Sequence, residues 1–176
     1  MVHTTKGGYL DTKIHHEHYS QEAQDRLNAV IEKALEGPDE WTASQKSSPS
    51  FGSPVRKSSS SFVNNPEYFY SISAFYDHNS NDGVYHDMNC ESLSYDRHRG
   101  TDFFAFPFYW YQYENDMLDV VAAEEGQIIL KVGQADNCVA QGSYGVHMAI
   151  RHGNYISVYA HLKEGSLTDK DVNDVV

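Results

Sequence analysis

The chain reads as a mainly β protein with one α-helix near its N-terminus. Three observations carry this. Six short runs between Tyr68 and His161 are rich in aromatic and β-branched residues and are bounded by Gly, Asn or Pro. Only residues 20–36 show the 3.6-residue apolar spacing of a helix. Thirteen Tyr and eight Phe supply much of the core material, and aromatics favour strands.

The helix comes first. Ser20 suits an N-cap, Leu27, Val30, Ile31, Ala34 and Leu35 form one stripe, and Gly37-Pro38 ends it. The stripe reads as a packing face. These residues make an N-terminal helical segment, 1–41. Residues 42–65 then lose apolar content and gain Ser, Pro and Gly, which reads as a linker. The remainder, 66–176, is expected to form an antiparallel open β-sheet domain, α+β overall once the helix is counted. Its expected strands are Tyr68–Phe75, Asp102–Phe106, Leu118–Ala123, Gln127–Val132, Val146–Arg151 and Tyr155–His161. In the last, Ile156, Val158 and Ala160 alternate with Ser157, Tyr159 and His161, the period of a half-buried strand. Val172, Val175 and Val176 alternate towards one more.

Composition narrows the function classes. A formal charge of −12 argues against nucleic acid, whose phosphates would be repelled. It also disfavours simple attraction to anionic wall polymers and reads as a solvated acidic surface. No apolar run approaches the length of a membrane span, and residues 1–8 contain no signal-like apolar region. Oligomeric state is not legible.

The chemistry concentrates in Asp96-Arg97-His98-Arg99-Gly100-Thr101-Asp102 and in Tyr159-Ala160-His161-Leu162. Imidazole and carboxylate are the donors of hydrolytic zinc sites, which use three protein ligands and an open water position. The His-x-x-x-Asp spacing alone is weak. It is followed by Ala122-Ala123-Glu124-Glu125-Gly126 and a β-run. Tyr144-Gly145 then leads a strand to Arg151-His152-Gly153, ahead of Tyr159–Leu162. In this order the pieces resemble the lysostaphin-type zinc endopeptidases of the bacterial cell wall, over roughly residues 72–176.

The resemblance implies an open antiparallel sheet with a groove over the metal. It implies a Zn²⁺ cofactor held by His98 and Asp102, with Gly100 permitting the turn between them. His161 is the implied catalytic histidine, assisting proton transfer beside the metal, and His152 a structural residue. The implied substrate is the peptide cross-link of peptidoglycan. The alternative is a non-catalytic wall-binding or regulatory module on the same fold. The family's last motif, a His-x-His that supplies the third ligand, is not found after His161, so the domain is expected to be C-terminally incomplete and inactive as given. His16-Glu17-His18 lacks the turn that precedes that motif and reads as solvated or adventitious. The family is extracytoplasmic, which implies that location here. There disulfides persist, and a Cys90–Cys138 bridge is expected, though two free thiols remain the other reading. Asp77-His78-Asn79-Ser80-Asn81-Asp82-Gly83 has the oxygen-rich look of a calcium loop. It fails the EF-hand pattern at its sixth and twelfth positions and reads as an Asx-rich turn.

Overall fold

The computed structural model describes residues 21–36, 50–64, 68–79, 81–133 and 144–176. The fold is mainly β, built from antiparallel sheets with few helices. In chain order the elements are α1 (Gln21–Glu36), β1 (Val55–Lys57), β2 (Tyr70–Ala74), β3 (Asp102–Ala105), α2 (Tyr109–Glu114), β4 (Leu118–Val120), β5 (Gln127–Val132), β6 (His147–His152) and β7 (Tyr155–Tyr159). The strands are distributed over three small sheets: β1 with β4, β2 with β3, and β5-β6-β7. The described residues fall into two compact units, Val55–Asp119 on one side and residues 21–54 with Val120–Val176 on the other.

In the Val55–Asp119 unit, β2 and β3 pair antiparallel, Tyr70 opposite Ala105 and Ala74 opposite Asp102, with a bulge between Ile72 and Ala74. Val55, Val63 and Phe69 are buried together, with Tyr70, Phe103 and Leu118 packed around them. This corrects the expected linker. Residues 42–49 and 65 lie outside the described residues, but residues 50–64 are part of the fold. Val55 and Val63 are apolar anchors inside a Ser-rich stretch, and Ser58 donates its hydroxyl to Asp116 O at 2.6 Å. α2 was also not anticipated. Its sequence, Tyr-Trp-Tyr-Gln-Tyr-Glu, is β-prone by composition. The turn forms around fully buried Gln112, whose side-chain amide donates to Pro107 O, after the cis Phe106–Pro107 bond.

In the second unit β6 is the middle strand, paired antiparallel to β5 and to β7. Met148, Ala149, Ile150, Arg151 and His152 are all buried, so side chains on both faces of β6 are covered. The C-terminal residues add to the free edge of β5. Ile128 N–H donates to Asp174 O at 2.9 Å, Asn173 N–H to Ile128 O at 2.8 Å, and Gly126 and Val176 exchange both bonds. The expected alternation of β7 is not kept: Val158 is exposed, while Ser157 is half-buried and hydrogen-bonded to His152 Nε2 at 2.8 Å. α1 does not stand apart from the sheet as a separate segment. It packs on β5 through a face on which Leu27 is buried, and Arg151 Nη1 donates to Ala34 O at 2.7 Å near its C-terminal end. Leu35, expected on that stripe, is exposed. Ser20 and Gly37-Pro38 lie outside the described residues. No described helix is long and apolar enough to cross a membrane.

Candidate metal centre

His98 and Asp102 are brought together. Asp102 opens β3 and His98 lies in the preceding loop, and both side chains are almost completely buried, at 1% and 3% exposure for His98 and Asp102. His98 Nε2 lies 3.3 Å from Asp102 Oδ1. That is ion-pair distance, yet the geometry is not that of a hydrogen bond, and neither atom finds such a partner among the described residues. A buried nitrogen and a buried oxygen left this way are costly, by about 1–3 kcal/mol each. Two ligands about 2.0–2.2 Å from one tetrahedral ion stand about 3.3–3.5 Å apart. The separation and the donor types therefore fit zinc. No group of three or more His, Cys, Asp or Glu suited to a metal ion occurs among the described residues.

The loop that presents His98 is organised by carboxylates rather than by Gly100. Asp77 is buried, and its Oδ1 accepts the N–H groups of Asn79 at 2.9 Å and His86 at 3.1 Å. Its Oδ2 accepts Arg97 N–H at 2.8 Å, and its own N–H donates to His98 O at 2.8 Å. Burial pushes the Asp77 carboxyl up, but the three backbone donors outweigh it and hold the group below its ordinary range. Arg97 occupies the left-handed region, at φ 60°. Its guanidinium pairs with Asp82, with Nε 2.9 Å from Oδ1. Tyr95 lies against the imidazole, with ring centroids 4.1 Å apart. Gly100 carries no positive φ, and a Cβ there would meet nothing, so the expected turn at Gly100 is corrected to Arg97. The loop at Asp77 is the Asx-rich turn anticipated for it, with Asn79 Oδ1 accepting Asn81 N–H at 2.9 Å. Asp77, Tyr95 and Arg97 were missed as site residues; the Asp77–Arg97 bond spans 20 residues and leaves no local pattern, whereas Tyr95 lies in the same local stretch as His98.

His161 belongs to the other unit. It follows β7 in the left-handed region, at φ 55°, and is half-buried. Its N–H donates to Tyr144 O at 3.0 Å, and Leu162 N–H donates to Val146 O at 2.9 Å. A Cβ on Gly145, at φ 59°, would come within 3.5 Å of His161 Nδ1. The backbone of Tyr144–Val146 is thus fitted to the histidine. Tyr159, two residues earlier, accepts Ala123 N–H on its hydroxyl at 2.8 Å. His152 is buried, with Nδ1 2.9 Å from Glu125 O and Nε2 bonded to Ser157, the contacts of a structural histidine.

Cys90 is exposed and is bridged to no cysteine among the described residues. Its expected partner Cys138 lies outside the described residues, as do His16 and His18. Comparison with protein-family models, with curated proteins and with solved structures finds no match to this chain.

Proposed function

We propose that the chain is the core of a zinc-dependent endopeptidase acting on peptide cross-links of bacterial peptidoglycan, in an extracytoplasmic setting. One observation carries the reading. A buried imidazole nitrogen and a buried carboxylate oxygen, four residues apart in sequence, stand 3.3 Å apart without hydrogen-bonding. The motif order from His98 to Leu162 supports it from the sequence side.

A bound ion, held by His98 and Asp102, would supply Lewis acidity towards a carbonyl oxygen and towards water. The residues divide the remaining work. His98 offers the Nε2 lone pair, so its proton resides on Nδ1. Asp102 offers Oδ1 and a compensating charge. For His161, which belongs to the other unit, the resemblance implies the task of a general acid–base histidine. Two protein ligands leave zinc needing further donors, and the reading requires a third from outside the described residues.

The test is zinc stoichiometry on the chain and on any longer product of the same reading frame, with release of peptides from purified peptidoglycan. The reading expects zinc that His98→Ala removes, and lysis that appears only with the longer product. A longer product carrying His-x-His that neither binds zinc nor lyses walls would overturn it.

A second reading, a wall-binding module without catalysis, draws on a different surface. Phe62, Phe108 and Tyr111 are exposed and cluster, with centroids 6.5 and 5.9 Å apart about Phe62. Exposed apolar clusters mark interaction sites. Co-sedimentation with insoluble peptidoglycan that survives His98→Ala but not Tyr111→Ala, in the absence of lysis, favours that reading.

A further inference from the structure

We infer that Asp77 is a positioning residue for the metal pair: its carboxylate holds the Arg97–His98 backbone in place, and thereby sets His98 Nε2 against Asp102 Oδ1. The inference rests on the zinc reading of that pair, and goes beyond it in naming what builds the site.

The connection is short and continuous. Asp102 pairs with Ala74 across the β2–β3 ladder. Three residues beyond Ala74, Asp77 donates its N–H to His98 O and accepts Arg97 N–H on Oδ2, both at 2.8 Å. The two candidate ligands are therefore tied to one strand, one through the ladder and the other through Asp77. Arg97 sits at φ 60°, a conformation that costs a non-glycine residue free energy and persists where its surroundings impose it. Asp77 is what imposes it, because its Oδ2 takes the N–H of that residue. Oδ1 is occupied by Asn79 and His86, so the carboxylate is itself locked from the opposite side. A buried carboxylate with three backbone donors is a rigid part, and rigid parts are what place ligands to within tenths of an ångström.

A control lies in the same loop. Asp87 is buried and accepts the N–H groups of Asn89 at 2.8 Å, Glu91 at 3.0 Å and Leu93 at 3.3 Å. It is built in the same way but holds nothing at Arg97 or His98.

The experiment uses the whole chain and two readouts. One is Zn²⁺ affinity by competition with a chromophoric chelator. The other is the His98 imidazole NMR correlation in metal-free protein. Asn at position 77 keeps one accepting oxygen and turns the other into a donor, so it cannot accept from both sides. Asp77→Asn should weaken zinc about 10–100-fold, the range for residues that orient ligands, and should move the His98 resonance. Asp87→Asn should lower stability while leaving both readouts of the folded protein at wild-type values. If Asp77→Asn does not fold, Asp77→Glu, which displaces the carboxylate by one methylene, takes its place with the same expectations. A folded Asp77 variant with an unmoved His98 resonance overturns the inference, and so does an Asp87→Asn that moves it equally. A resonance that moves in a protein binding no zinc supports the positioning role and overturns the zinc reading instead.

Discussion

Asp102 Oδ1 and His98 Nε2 face each other at 3.3 Å, buried, and do not hydrogen-bond. A pair serving stability alone would be aligned, since an aligned bond to a charged group stabilises by about 1.5–3 kcal/mol. Here the two atoms stand at ion-pair distance and neither makes a hydrogen bond among the described residues. Sites that bind something else carry this kind of stored cost, and they trade it against stability.

Asp102→Asn tests that trade. The amide can donate to His98 Nε2, replacing an orphaned pair with a hydrogen bond. In chelator-treated protein the variant should be more stable than wild type by about 1 kcal/mol, and it should lose zinc-dependent stabilisation. Thermal melts with and without zinc measure both. A variant less stable than wild type in chelator would mean that the carboxylate is satisfied in the free protein.

Acid should act on the loop that carries His98. Asp77 and Asp87 both titrate below their ordinary 3.8: burial pushes each up, and backbone N–H donors outweigh it. As pH falls the unfolded chain takes up protons first. The stability these groups contribute is therefore complete well above 3.8 and is lost as pH falls through 3.8 towards the folded values. Urea midpoints between about pH 5 and pH 2 should fall less steeply in Asp87→Asn than in wild type. Equal slopes would show that the carboxylate is not the acid-sensitive part.

Much of this architecture was legible in the sequence, for physical reasons that also mark its limits. β2 to β7 lie where aromatic and β-branched runs lie, and α1 where the apolar stripe lies, because periodicity is a local signal. β1 was not legible, since Val55 gains its burial from Val63 and Phe69 rather than from its Ser-rich neighbours. α2 was hidden by its aromatic composition. At the candidate site, the order of motifs and the resemblance it carries pointed to His98 and Asp102. The role of Asp77 depends on a bond to Arg97, twenty residues away, and spacing carries no trace of it. Gly100 drew attention as the permissive residue, whereas the left-handed position is Arg97.

Two glycines should separate sharply. A Cβ on Gly126 would lie 2.6 Å from Arg151 O, His152 Nδ1 and Ile150 Cγ2, two of them backbone or buried ring atoms that cannot yield. Gly126→Ala should cost about 2–3 kcal/mol, as overpacking does. Gly100→Ala, with open space around it, should cost under about 0.5 kcal/mol and leave zinc affinity unchanged. Denaturant melts compare them directly. A destabilised Gly100→Ala would return the turn to Gly100.

The exposed thiol of Cys90 makes the most direct prediction. Cys90 lies at φ 61° beside the Asp87 turn, where its N–H donates to Asp87 O at 3.0 Å. An exposed thiol in such a place should react with a maleimide in the native protein within the time taken by a small-molecule thiol. Mass spectrometry after native labelling should place the adduct on Cys90, and Cys90→Ser should remove that adduct while leaving the fold unchanged. If labelling finds no reactive Cys90 until the protein is both denatured and reduced, then the residue is bridged to Cys138. The chain would in that case carry the disulfide expected of an extracytoplasmic protein, with a loop of nearly fifty residues closed at a gain of about 4 kcal/mol.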